Sequence, residues 1–284
     1  MRHSARFLSL LLFGCLFTAS SGTAQDRSGD VSQQIQALNW KTGSQIGRIG
    51  TEASIALSPE LGFLGSTDTR RFLELNGNPP RDDHYTLAPK SLRWFSVFEF
   101  DRSGYVRDDE KIDPDELLTI LKQANKEGLA ERRRLGLPAM ILEGWYVPPH
   151  YDIATKQLEW GTRLRTEDNG IVVNYTTRFL GRNGVMSAIL VSDPDNLDTD
   201  VRAFKSALRG FEFNSGAHYS EFRQGDKVAE YGLAALVVGG AAAAAAKAGA
   251  GKGLIKLLGV GAAAAFAGIG GFFKRMFSRV SRAA

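Results

Sequence analysis

Two Asn-Gly dipeptides, Asn169-Gly170 in "EDNG" and Asn183-Gly184 in "GRNG", punctuate the middle of the chain and constrain its fold more than any other feature. Asn-Gly readily takes the positive φ values of the tight turns that join antiparallel strands, so each pair commits its flanking runs to a hairpin. Before the first turn, "LEWGTRLRT" sets Leu158, Trp160, Thr162 and Leu164 in alternation with polar residues, giving one buried and one wet face. "IVVNYTTRFL" (171–180) and "VMSAILV" (185–191) follow, and "AMILEGWYV" (139–147) precedes. The segment therefore reads as an antiparallel meander.

Helices are expected around it. Asp113 is a natural N-cap, Pro114 suits the first helical position and Glu116 completes a capping box. Leu117, Leu118, Leu121 and Ala124 then form an apolar stripe, Arg132 to Arg134 fall in a last turn where the helix dipole favours cations, and Gly136 and Pro138 end the helix. "DTDVRAFKSALRG" places Val201, Phe204 and Leu208 on one helical face with Gly210 as a stop, and "DVSQQIQALNW" (30–40) is a short helix with Ile35 and Leu38 inward. "IGRIGTEASIALS" (46–58) reads as two short strands around Gly50, "SLRWFSVFEF" (91–100) as a central strand apolar on both faces, and "FEF" (211–213) as an added edge strand. Antiparallel strands covered on one side by helices make one α+β domain over residues 25–226.

The two ends differ from this body. Arg2 and Arg6, the apolar run Phe7 to Phe17 and the small residues up to Ala24 have the form of a signal peptide over residues 1–24. Cleavage there leaves no cysteine and hence no disulfide or thiolate chemistry. "LFGC" roughly fits a lipobox, an alternative in which Cys15 is acylated, although Phe13 is bulky for that motif. The net charge of +4 conceals an acidic body and a basic tail, because past residue 226 eight Lys and Arg face the single acid Glu230. An acidic body argues against nucleic acid, which requires a basic surface to displace counterions.

Residues 227–284 read as a membrane anchor, with uncharged segments 231–246 and 257–273 at the short edge of the roughly 17–25 residues a span requires. Their Gly and Ala content suits close helix approach. "AKAGAGKG" (246–253) between them resembles a phosphate-binding loop, but Ala246 stands where that loop has Gly and Gly253 where it has Ser or Thr. No nucleotide is expected; the stretch reads as a hinge with Lys247, Lys252 and Lys256 facing the cytoplasm. A second crossing would put Lys274, Arg275, Arg279 and Arg282 outside, against the positive-inside tendency, so one or two spans remain open.

The search for chemistry gives little. His84, His150 and His218 are scattered, with no metal-ligand spacing, and neither a G-x-S-x-G elbow nor a dinucleotide fingerprint is present. No catalytic residue, metal or cofactor is assigned. Polar residues inside otherwise apolar elements are the candidates for ligand contact. Asn125 and Arg132 share a helical face, Asn174 and Arg178 share a strand face, and Tyr151 follows a turn at Pro148-Pro149. Together they would suit an anionic or sugar-like ligand; the alternative is that they serve as caps and ion pairs. Asp108-Asp109 are poor paired carboxylates, since neighbours on a strand point to opposite faces.

"GYVRDDE" (104–110), "NKEGLAERRRLG" (125–136), "GWYVPPHYD" (144–152), "LEW" (158–160) and "NYTTRFLGRNG" (174–184) resemble the bacterial family catalogued as domain of unknown function 2167. The resemblance runs in order from about Gln36 through the tail. It implies an exported, membrane-anchored envelope protein and brings no catalytic residues with it. The expected role is a non-catalytic binding or interaction module at the cytoplasmic membrane with its bulk extracytoplasmic. Its partners would be the lipid bilayer through the tail and an envelope protein or glycan. A small-ligand or enzymatic pocket built on Asn125, Arg132, Tyr151, Asn174 and Arg178, or a subunit of a membrane complex, are the alternatives.

Overall fold

The computed structural model describes residues 31–239, apart from 77, 79 and 135–138. The signal segment, the tail beyond Gly239 and the expected helix stop at Gly136 and Pro138 lie outside the described residues. Helical turns at 31–36 lead into strands β1 (Lys41–Thr42), β2 (Ile46–Ile49), β3 (Ala53–Ala56) and β4 (Leu61–Leu64), then helix α1 (Ser66–Leu75). After β5 (His84–Pro89) and β6 (Trp94–Asp101) comes α2 (Pro114–Arg134), then the meander β7 (Met140–Asp152), β8 (Gln157–Thr166), β9 (Ile171–Leu180) and β10 (Val185–Ser192). Helix α3 (Leu197–Leu208), β11 (Phe211–Phe213) and α4 (Leu233–Val238) complete the order.

The meander forms as expected, but it is half of something larger. β10 pairs with β6, and the eight strands run β1-β4-β5-β6-β10-β9-β8-β7, antiparallel throughout. β6 is central, as its two apolar faces require. The strands flanking Gly50 form, and β11 joins them in a separate three-stranded sheet, β11-β3-β2. Asn169 takes a φ of +59°, as its turn demands. Gly184 is needed for a different reason, since a Cβ there would lie 1.9 Å from the Asp101 carbonyl oxygen.

Both faces of the large sheet are covered, not one. On one face Trp94, Phe98, Tyr175, Met186 and Leu190 pack against Phe204 and Leu208 of α3 and against Ile49, Ile55 and Phe213 of the small sheet. The opposite face carries two separate apolar patches. Phe95, Val97 and Val191 lie with Phe72 and Leu73 of α1, while Leu158, Trp160, Leu180 and Val185 lie with Leu117, Tyr219 and α4.

β7 departs from the expected pattern. Pro148 and Pro149 do not turn the chain; the strand continues to Asp152, with register shifts between Leu142 and Gly144, Trp145 and Val147, and Val147 and His150. Among the described residues β7 pairs only with β8, and an edge strand can hold Pro where no partner requires an N–H. Such irregularities also blunt an edge against further pairing.

Residues 227–239, expected within the anchor, belong to the domain. Tyr105 N–H donates to the Lys227 carbonyl at 2.8 Å and Ala229 N–H returns a bond to the Tyr105 carbonyl at 2.9 Å. Gly104 permits this approach with a φ of +98°, where a Cβ would sit 2.6 Å from Lys227 O. Glu110 accepts from Ala234 N–H at 3.0 Å, capping α4, and Leu233, Leu236 and Val237 are buried. Arg182 locks the approach to this clasp with a forked ion pair to Asp226 at 2.7 and 2.8 Å. Among the described residues no helix is long and apolar enough to cross a membrane.

Candidate functional site

The seam between the two apolar patches is polar, and its composition follows from register. Val185 lies in the patch under α4 and Val191 in the patch under α1, so Ser187, on the same side of β10, lies between them. Ser187 is opposite Glu99 on β6 and Arg178 on β9, and Glu99 is opposite His84 on β5. Four adjacent strands thus place His84, Glu99, Ser187 and Arg178 in one row. Thr176, Asp101 and Tyr231 border it.

His84 is buried, and its Nδ1 lies 2.7 Å from the Asp82 carbonyl oxygen. A carbonyl can only accept, so Nδ1 carries a proton. Nε2 faces the Glu99 carboxylate at 3.6 Å, and that contact, against partial burial, holds the Glu99 carboxyl below its usual range. The Tyr231 hydroxyl donates to Asp101 at 3.1 Å, and burial pushes its phenol up.

Arg178 differs from Arg182, whose guanidinium is paired to Asp226. The Arg178 guanidinium lies 5.6 Å from the centre of the Trp160 ring, and among the described residues its buried Nε has no hydrogen-bond partner and no carboxylate is within ion-pair distance. Desolvation pushes its pKa down, against longer-range attraction to Tyr231, Asp101 and Glu99. Arg178 as a whole is half-buried, so the cost falls on its enclosed Nε, a donor without a matched acceptor, and that donor calls for an acceptor from outside the fold.

The five candidates from the sequence separate. Asn125 is spent on structure: its amide donates to the Met140 carbonyl at 2.9 Å and accepts from Leu142 N–H at 3.0 Å, tying α2 to the edge of β7. Tyr151 lies nine residues further along β7 from Leu142, roughly 30 Å away. Its hydroxyl donates to Asp108 at 2.8 Å, and burial together with that carboxylate pushes the phenol up. Lys156 also donates to Asp108, at 2.7 Å; these bonds outweigh burial and keep the Asp108 carboxyl below its usual range. Arg132 is fully buried on α2, and burial pushes its pKa down.

Asn174 and Arg178 do share the seam face of β9, but roughly 13 Å apart along the strand, too far for both to hold one small anion. The group that the structure brings together runs across the strands instead. Glu99 and Ser187 were not singled out in the sequence, and His84 was named only among scattered histidines, because the three share no motif. The only hint was polar residues at inward positions of strands otherwise apolar on both faces. Among the described residues no three His, Cys, Asp or Glu are grouped to hold a metal ion.

An antiparallel eight-stranded sheet with a second small sheet and α3 on one face, and α1, α2 and α4 on the other, defines an α+β domain in which α4 packs over the sheet. The chain belongs to the family described as Protein of unknown function (DUF2167), whose model matches residues 41–270. No curated protein matches. Among solved structures, the solution structure of cyanobacterial PsbP (CyanoP) from Synechocystis sp. PCC 6803 aligns at 9% identity and a TM-score of 0.36, over 61% of this chain and 94% of that one. A likeness at that level carries no argument.

Proposed function

We propose that the protein is a membrane-tethered, non-catalytic binding module on the extracytoplasmic side of the cytoplasmic membrane, which engages an envelope protein or glycan along the seam at Arg178. The observation that carries the binding reading is the buried Arg178 Nε with no acceptor among the described residues, in one row with Ser187 on the next strand and Glu99 on the strand after it. Such a mixed row of donors and acceptors suits a partner rich in hydroxyl or amide groups. The location rests on the signal-like first 24 residues and on the apolar, basic chain beyond Gly239. With α4 packed in the domain, residues 240–246 are too short to span, which favours one crossing, at 257–273.

Two measurements on the full chain test this reading. In a bacterial host it is expected in the membrane fraction, with the domain cut by protease added to spheroplasts. Recovery in the cytosol with the leader uncut would overturn the location. For the seam, Arg178→Met keeps the length and removes the uncompensated charge, so the unfolding free energy is expected to equal or exceed the wild-type value. A loss of about 1–3 kcal/mol would instead make Arg178 a structural residue.

A further inference from the structure

On the α3 side of the sheet, the paired ends of β7 and β8 and one flank of α3 enclose an open cleft of about 570 Å³. The strands contribute His150, Asp152 and Glu159; α3 contributes Arg202 and Lys205, and its C-cap residue, Arg209, also lines the cleft. The acids are committed. Glu159 accepts the Tyr175 hydroxyl at 2.9 Å on one oxygen and Lys205 Nζ at 2.8 Å on the other. Asp152 accepts the backbone N–H groups of Ala154 at 2.8 Å and Thr155 at 3.3 Å, which hold its carboxyl below the usual range. Lys205 is thereby neutralised.

The two arginines are not. Arg202 donates to the Thr199 hydroxyl at 3.1 Å and Arg209 to the Ser206 hydroxyl at 2.7 Å, and neither has a carboxylate within ion-pair distance among the described residues. Seven positions apart, they stand on one side of the helix about 10 Å from each other along its axis. Each retains an open fork of donors that matches an oxyanion.

We infer that this cleft binds an extended ligand carrying two oxyanion groups, phosphate or carboxylate, each held by one arginine, with His150 also in the lining. The site is separate from the seam, which lies on the other face of the sheet, so it stands or falls independently of the function proposed above.

The test is calorimetric titration of the full chain in neutral detergent with inorganic tripolyphosphate, suberate and orthophosphate. At least one of the two extended probes is expected to bind at least tenfold more tightly than orthophosphate. Arg202→Gln/Arg209→Gln should lower that affinity at least tenfold, while Arg163→Gln/Arg165→Gln, which removes an exposed pair on Glu143, should leave it unchanged. Preference for tripolyphosphate or for suberate assigns the ligand as a phosphate or a carboxylate. Three results would overturn the inference: neither extended probe binding, equal loss in both double variants, or no loss with Arg202 and Arg209 replaced. Arg209 also sits where a cation serves the C-terminus of α3, so a thermal melt accompanies the titration. A lowered midpoint with unchanged affinity would leave that structural role alone standing.

Discussion

The clasp around α4 and the seam around Arg178 share one face of one sheet and use the same residue types to opposite effect. At the clasp each charge has its counterpart: Glu110 meets the α4 N-terminus, Arg182 meets Asp226, and Asp108 collects Tyr151 and Lys156. At the seam a guanidinium lies over a tryptophan ring, and its buried Nε has no acceptor among the described residues. Polar residues in buried strands therefore do not announce a binding site by type. What separates structure from candidate function is whether the fold itself uses up their hydrogen-bonding capacity.

The comparison breaks first at the clasp if α4 is dispensable. Leu236 is fully buried beneath it, and Leu236→Ala is expected to cost about 2–5 kcal/mol in equilibrium chemical denaturation. A change below about 1 kcal/mol would return residues 227–239 to the tail. Next comes Asn125→Ala, which leaves the Met140 carbonyl and Leu142 N–H without their partner. It should cost about 1–3 kcal/mol and accelerate hydrogen exchange at Leu142. Unchanged exchange there would release Asn125 as a ligand residue.

The smallest effect is a pH dependence. Hydrogen bonds from Arg182 and from the Arg223 backbone hold Asp226 at about 2, below its ordinary 3.8. A carboxyl depressed on folding stabilises fully above its unfolded pKa and loses that contribution as pH falls through the folded one. Wild-type stability should therefore decline between about pH 4 and pH 2, and Asp226→Asn should flatten that part of the curve. Parallel curves for the two proteins would show that the Arg182 fork adds nothing to the clasp.

Much of the architecture was legible one segment at a time. Hairpins form at both Asn-Gly pairs, although only Asn169 of the four residues takes a positive φ, and Asp113 caps α2 as expected, accepting from Asp115 and Glu116 N–H at 3.0 and 3.1 Å. Alternation along β8 correctly buried Leu158, Trp160 and Leu164. The family was legible as well, from motifs whose polar residues prove in large part to be internal fastenings. The site was not. Asn174 and Arg178 share a face because of strand periodicity, whereas Arg178, Ser187, Glu99 and His84 are neighbours only because β9, β10, β6 and β5 pair in that register.

Local physics thus settled the strands, turns and caps, since each depends on φ, ψ and the hydrogen bonds of residues close in sequence. Two matters were decided only by the tertiary structure: that the apolar run from Leu233 to Val238 closes the domain, and that the enclosed Arg178 Nε has no acceptor among the described residues. Burial and partner saturation are properties of groups brought together from distant segments. A run of Leu, Ala and Val is equally apolar against a sheet or in a bilayer, and only the packed partners distinguish the two.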